Sequence, residues 1–434
     1  MVSIKTVREH SSDELLLRNV TTRINSVLPP GFTYLVDSKG QIIESVLRFL
    51  RKKCAPSGYL FSESTCRTYA EHLYEWFSLV ETAGIPWYSA TSNDLNAYST
   101  ALHERVSLHT QKRLRARTRK SRLRTIVSFY RSACDDGLIH VAPKLDLLTV
   151  PRDEQIVTGD LVEAERAVKA IVVAPFEHAS CIAKEHLGSI FSRLGPTSSS
   201  AVDGYRSSCR DRLASELALH TGMRLDEVTS LRKNQILALV PALSRNQPCG
   251  LYITKTKRGN PRTVYLPSWL VSALQDYVDH ERAFIVATAK SRANATYAEP
   301  PQLFLNKVDA NKRDFGRKLT RTRLMAVFRS AVEAANILTA QVAFASGTGA
   351  PYLKYEPAYS FHNLRHTYAY TCYQAFLREG KPHPWRLVQH LLGHKNLQTT
   401  LDTYLAGADL QEAAVSDALV NTFHTWSDLV NATA

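Results

Sequence analysis

Apolar positions recur at helical spacing through most of the first 140 residues. In "FTYLVDSKGQIIESVLRFLRKKC" a short extended run, a DSKG turn and an amphipathic stretch predict strand, turn and helix. In "SESTCRTYAEHLYEWFSLVETAGI", Tyr69, Leu73, Trp76, Phe77 and Val80 fall on one helical face, with Ser62 as a candidate N-cap. "TSNDLNAYSTALHERV" repeats that arrangement, a cap followed by a helix. "HTQKRLRARTRKSRLRTIVSFYRSACDDGLI" then places Leu123, Ile126, Val127 and Tyr130 on one face. The whole region is predicted to be helical.

Beyond it the periodicity lapses. "HVAPKLDLLTVPRDEQIVTGD" holds two prolines and little helical period, and reads as a linker. Helical patterns resume near Leu161 and break at "LGPTSSSAVDGYRSS", a polar stretch expected to be an exposed insertion. "GLYITKTKRGNPRTVYLP" is the only convincing hairpin, with β-branched and aromatic residues flanking a Gly/Asn/Pro turn. The rest is read as mostly helical, interrupted by "SRANATYAEPPQ" and "VAFASGTGAPYLKYEPAYS". No repeat occurs at solenoid spacing. The expected division is an N-terminal extension over 1–39, a helical domain over 40–140, a linker over 141–158 and a second, larger domain over 159–434. Leu410, Ala413, Leu419, Val420 and Phe423 give its tail a roughly helical pattern, suited to docking on a neighbouring subunit or on its own domain. A chain of 434 residues is long enough for two or three such units.

Composition narrows the partner. No apolar run approaches a membrane span, and "MVSIKTVREHSSDELLLRNV" lacks the apolar core of a secretory signal. The seven cysteines are scattered with no CxxC pair, which favours free thiols in a reducing compartment. A net charge of +14 points to a polyanion. Lys112, Arg113, Arg115, Arg117, Arg119, Lys120, Arg122 and Arg124 are read as riding on one helix with no acidic residue among them. A solvated basic face is the bland alternative, but so unbalanced a run repels itself unless an anion answers it.

Four islands carry chemistry. "ALHTGMRLDEVTSL" holds Arg224 after a Thr-Gly break where a helix restarts, "TKTKRGNPRTVYLP" puts Lys255, Lys257 and Arg258 on the hairpin, "FHNLRHTYAY" sets His362 and Arg365 three apart, and "HLLGHKNLQTTLDTY" adds His394 and Tyr404. Cations, imidazoles and a phenol suit attack on a phosphodiester, whose pentavalent state needs its non-bridging oxygens stabilised. Two guanidinium forks and a histidine donor can supply that. The pairs His362/His366 and His390/His394 have zinc-ligand spacing, but the second lacks the Glu of a HExxH site, and His390 is expected to pack against the domain. A metal-free covalent route fits better, and no cofactor is expected. The duller readings are a helix-end salt bridge from Arg224 to Glu227, a core role for Tyr404 like that of Tyr368, Tyr370 and Tyr373, and a packing role for Trp385.

In this order the islands resemble the tyrosine recombinase (phage integrase) family of DNA strand-exchange enzymes. The quoted "TGMRLDEV", "HNLRHTYA" and "LLGH…TTLDTY" carry the likeness, and the preceding helical region is similar to the family's core-binding domain. The resemblance implies a mainly α fold with a small β-sheet, closing as a C-shaped clamp on duplex DNA. It makes Arg224 and Arg365 phosphate clamps, Tyr404 the nucleophile that joins the DNA 3′-phosphate, His394 a donor and His362 a proton-transfer group. Glu227 would support the first arginine. Lys257 would protonate the departing 5′-oxygen, although matching the local "KT" dipeptide favours Lys255. It further implies a homo-tetramer on paired sites, accessory directionality or DNA-bending factors and a cytoplasmic, nucleoid-associated location. Type IB topoisomerases share this set of groups and are the alternative.

Overall fold

The computed structural model describes residues 2–7, 28–55, 61–107, 110–144, 181–198, 205, 207–244, 247–254, 261–292, 297–307, 310–311, 313–345 and 349–393. The chain divides into two compact units, Met1–Ala174 with Val342–Tyr352, and Pro175–Gln341 with Leu353–Ala434.

The first unit is built on α1 (Glu44–Cys54), α2 (Glu63–Thr82), α3 (Ser92–Glu104) and α4 (Ala116–Asp135). Helical periodicity alone places its core: Leu73, Trp76, Phe77 and Val80 of α2 meet Leu123, Ile126 and Tyr130 of α4 and Phe49 and Leu50 of α1. The two large polar aromatics in this core are satisfied. Trp76 Nε1 donates to Tyr130 Oη at 2.9 Å, and that hydroxyl donates to the Trp87 carbonyl at 2.8 Å. Helix α3 starts from a reciprocal cap, with Thr91 N donating to Asp94 Oδ2 at 2.7 Å and Asp94 N to Thr91 Oγ1 at 3.4 Å. Ser62 stands at the N-cap of α2, but its hydroxyl meets Thr65 Oγ1 at 2.8 Å rather than a backbone N–H.

Residues 1–39 do not form a separate extension where they are described. Strand β1 (Ser3–Thr6) pairs antiparallel with β2 (Thr33–Val36), and Val2, Phe32 and Leu35 enter the same core as α1 and α2. Four alternating residues are too few to stand out against charged neighbours. The linker predicted over 141–158 falls outside the described residues except at 141–144.

In the second unit α5 (Lys184–Leu194), α6 (Arg210–Thr221), α7 (Leu225–Ser230) and α8 (Lys233–Leu237) precede the hairpin of β3 (Pro248–Ile253) and β4 (Arg262–Pro267). The strands are antiparallel, with Ile253 opposite Arg262, and alternation turns Leu251, Ile253, Arg262, Val264 and Leu266 inward. Helices α9 (Ser268–Tyr277), α10 (Ala283–Arg292), α11 (Arg321–Ala334), α12 (Phe361–Arg378) and α13 (Pro384–Leu392) follow. Helix α6 packs against β4, α9, α11 and α12. It is buried on nearly every side, which explains its weak amphipathic signal.

One expectation is corrected here. The hairpin of β3 and β4 is not alone, because at the interruption "VAFASGTGAPYLKYEPAYS" β5 (Leu338–Phe344) and β6 (Pro351–Pro357) pair as a further two-stranded sheet. The described residues thus hold three such pairs rather than one hairpin. Val342, Leu353 and Tyr355 lie exposed on these strands, so apolar residues do not mark the less exposed side and the sequence lacks the alternation of a half-buried strand.

Candidate active site

The site is assembled at helix ends. Helix α6 stops at Thr221 because Gly222 turns left-handed, with φ of 64°. The space there is as restrictive as the dihedral: a Cβ on Gly222 would stand 2.4 Å from Cδ1 of Tyr368 and 2.9 Å from Cδ2 of Leu392. Two residues later Arg224 is the N-cap of α7, in extended conformation, with its side chain 25% exposed.

Glu227, in the first turn of α7, is buried and shared by two arginines. Arg262 makes a fork to it, Nη1 to Oε1 at 2.8 Å and Nη2 to Oε2 at 2.7 Å. Arg224 donates its backbone N–H to Oε2 at 2.8 Å and Nη1 to Oε1 at 3.2 Å. Burial alone would raise the carboxyl's pKa. The Arg262 hydrogen bonds and charge, followed by the Arg224 N–H and guanidinium, outweigh it and hold the group below the usual range. The salt bridge between Arg224 and Glu227 is therefore present, as one part of a three-residue cluster.

Helix α12 brings the second arginine. Ser360 caps it, with Ser360 N donating to Asn363 Oδ1 at 2.8 Å. Arg365 is buried, and its Nη1 donates to the Gly222 carbonyl while Nη2 donates to the Leu392 carbonyl at 2.8 Å. Those carbonyls lie at the C-terminal ends of α6 and α13, where unpaired oxygens and the helix dipole both favour a cation. Arg365 is thus fastened two residues from Arg224, at the same break in the chain. Helix α13 ends beside it at Gly393, with φ of 64°, where a Cβ would stand 2.8 Å from Cδ of Arg262.

His362 shares α12 with Arg365 but is exposed, and its ring meets His366 edge-on at 4.6 Å between centroids. His366 is buried. Burial first, then the charges of His362 and Arg365, push its pKa down to about 3, so it is a neutral imidazole. Burial first, then the Cys372 charge, pushes the Tyr368 phenol well up, and the ring packs over Gly222 as a neutral core group. Among the described residues no group of three or more His, Cys, Asp or Glu is placed to hold a metal ion. His390 is exposed rather than packed, and Trp385 is half-buried with its ring 5.1 Å from that of His383. Lys255, Lys257, Arg258, His394 and Tyr404 lie outside the described residues, as does the helical pattern predicted after Tyr404.

The basic run needs correction as well. Helix α4 starts at Ala116, so Lys112, Arg113 and Arg115 precede it and only Arg117, Arg119, Lys120, Arg122 and Arg124 ride on it. Its charge is also partly answered from within the fold. Arg122 Nη1 pairs with Glu75 of α2, and Arg119 Nη1 meets His103 Nδ1 at 2.6 Å. No acid within the run betrays this, because Glu75 lies 47 positions away from Arg122. Arg113, Arg115, Arg117 and Arg124 are exposed, the first with its guanidinium 5.3 Å from the Phe344 ring centroid.

The phage integrase family model matches residues 199–411, a segment that spans all four islands. Through that segment the chain belongs to the phage integrase family. Several solved recombinases are similar to it. XerH site-specific recombinase bound to a palindromic difH substrate, in a post-cleavage complex, is 16% identical, with 85% of this chain and 94% of that chain covered and a TM-score of 0.49. The Tn1549 transposon integrase in complex with transposon right end DNA is 16% identical, covering 85% of this chain and 99% of that one, with a TM-score of 0.48. A lambda integrase dimer bound to a COC′ core site is 17% identical, covering 82% and 93%, with a TM-score of 0.44. No curated protein matches the chain. As a phage integrase family protein it is a tyrosine site-specific recombinase.

For a family member of this kind, sequence reasoning missed one residue of the site. Arg262 appears in "RTVYLP" as one more cation of a basic hairpin. The available signal is its place on the inward, apolar parity of β4, shared with Val264 and Leu266. A cation there demands a buried anion.

Proposed function

We propose that this recombinase cleaves and rejoins duplex DNA through a 3′-phosphotyrosyl intermediate at Tyr404, in the integration or excision of a mobile element. The observation that supports this reading is the fastening of Arg365 to the Gly222 carbonyl, two residues from Arg224, within the segment that matches the family. Two guanidinium groups anchored at one chain break are suited to hold the non-bridging oxygens of a single phosphate.

In the proposed step the Tyr404 oxygen bonds to phosphorus as the bond from phosphorus to the 5′-oxygen breaks. A phenol is mostly protonated at neutral pH, with an ordinary pKa of about 10, so its proton has to pass to a base. The family resemblance gives that task to His362, assigns protonation of the leaving 5′-oxygen to Lys257, and adds a hydrogen bond from His394 to the phosphate. The phosphotyrosyl ester keeps the energy of the broken bond. Attack by a 5′-hydroxyl of the exchanged strand then restores the phosphodiester and the phenol without a nucleotide cofactor. A tetramer on paired sites, aided by directionality or bending factors, belongs to the same proposal.

The test uses a duplex library with a randomised core and a single nick, from which covalent adducts are recovered under denaturing conditions. The wild-type chain is expected to retain DNA and Tyr404→Phe to retain none while still binding it. Arg224→Ala is expected to lower adduct formation by about 10²-fold or more. Adducts surviving in Tyr404→Phe would overturn the assignment. Relaxation of supercoiled DNA by a monomer, with no strand exchange between recovered sites, would favour the topoisomerase alternative.

A further inference from the structure

Three of the four islands meet at Arg262, a residue with no role assigned so far. Its guanidinium takes both oxygens of Glu227, the carboxylate that also binds Arg224. Its aliphatic stem fills the space beside Gly393, the residue before His394. Its backbone opens β4, the strand entered directly from the hairpin segment that contains Lys257. The Arg262 side chain is 7% exposed and the Glu227 side chain 1%, so the pair is held away from water.

The charges at this joint explain why two arginines serve one acid. A lone buried carboxylate beside Arg224 would draw that guanidinium into a fork of its own and neutralise it. With Arg262 on both oxygens, Arg224 reaches the carboxylate side chain to side chain through Nη1 alone, at 3.2 Å. The cluster of two guanidinium groups and one carboxylate keeps a net positive charge, and its more exposed member is Arg224.

We infer that Arg262 is a positioning residue: by saturating Glu227 it keeps the Arg224 guanidinium available to the scissile phosphate. The inference rests on the reading of Arg224 as a phosphate clamp. Arg262 itself touches no DNA in this scheme. A lysine keeps its charge but lacks the planar fork, so it cannot hold both oxygens in the same way.

The test is single-turnover cleavage by the full-length chain of a duplex recovered in the covalent capture described above. Arg262→Lys and Arg262→Met are each made in the wild-type and in the Arg224→Lys background. In the wild-type background cleavage is expected to slow by about 10²-fold for Arg262→Met and about tenfold for Arg262→Lys. The DNA dissociation constant should stay within about threefold, because Arg262 makes no contact with DNA. In the Arg224→Lys background the same changes are expected to slow cleavage by no more than about threefold further, since their route runs through Arg224. A purely structural loss would multiply equally in both backgrounds, and that result overturns the inference. Unchanged cleavage in Arg262→Lys and Arg262→Met overturns it as well. Where Arg262→Met fails to fold, Arg262→Lys carries the cycle alone. The functional reading fails separately, by adducts that persist in Tyr404→Phe.

Discussion

A histidine buried without its proton makes a fold sensitive to acid, and there are two among the described residues. Burial first, then the charge of Arg122, pushes His72 down to about 4, while its Nδ1 shares a 2.8 Å hydrogen bond with Thr125 Oγ1. His366 is pushed lower still, to about 3. Above the unfolded value of about 6.5 both states are neutral and nothing is lost. Below it the unfolded chain takes up a proton that the folded chain refuses, so stability falls as pH falls toward the folded values. At pH 5 the loss is about 2 kcal/mol for each histidine. Denaturant melts at pH 7.5 and pH 5 should show it, and His72→Gln should recover about half of the histidine-linked part. An equal loss in that variant would exclude His72 as a source. At this scale Arg224, Glu227, His362 and Arg365 can be picked out from motif spacing. The burial that silences His366, and the one that draws Arg262 onto Glu227, depend on neighbours far along the chain, where no local pattern reaches.

The elements read well where one face is buried. Helices α1 to α4 each present an apolar stripe to the first core, and their periodicity is enough to find them. Helix α6 is enclosed on nearly every side, and β5 and β6 expose several apolar residues, so neither shows the period of its class. What decides the site at this scale is the break between α6 and α7. Gly222→Ala forces a side chain into a left-handed backbone and against the Tyr368 ring, which should destabilise the chain by about 2–4 kcal/mol. Cleavage should fall with it, because the Gly222 carbonyl holds Arg365. Gly188, inside α5, has no positive φ, and a methyl group added there would meet nothing within 4 Å. Gly188→Ala should therefore stabilise by up to about 1 kcal/mol. Thermal melts of the pair check the sign at each position; a neutral Gly222→Ala would mean that the break tolerates a side chain.

For the molecule as a whole, the net charge of +14 makes DNA affinity fall steeply with salt, as bound phosphates release their counterions. The number of basic residues overstates that slope, because some are occupied within the fold. Glu75 takes Arg122 and also Arg105, the latter at 3.4 Å, and accepts from Tyr98 Oη at 3.3 Å. Arg117→Ala and Arg124→Ala, at exposed positions of α4, should each reduce the logarithmic salt slope by about one. Arg122→Gln should leave the slope in place and lower the melting temperature instead. Anisotropy of labelled duplex DNA across a salt series separates these outcomes, and a reduced slope for Arg122→Gln would return that residue to the DNA-contact set. That a chain of 434 residues holds more than one unit follows from its length. The membership of residues 2–7 and 342–352 in the first unit does not, since segments so short carry no local mark of the core they join.

The close fit of Gly393 against the stem of Arg262 bears on how these enzymes can be recombined by hand. A chimera that imports residues 384–434 from another recombinase would receive them at a seam already shaped by β4. The donor segment has to leave its helix through a residue without a side chain, or the host's arginine has to be trimmed to admit it. Domain-swap boundaries drawn through this joint should therefore carry positions 262 and 393 across together.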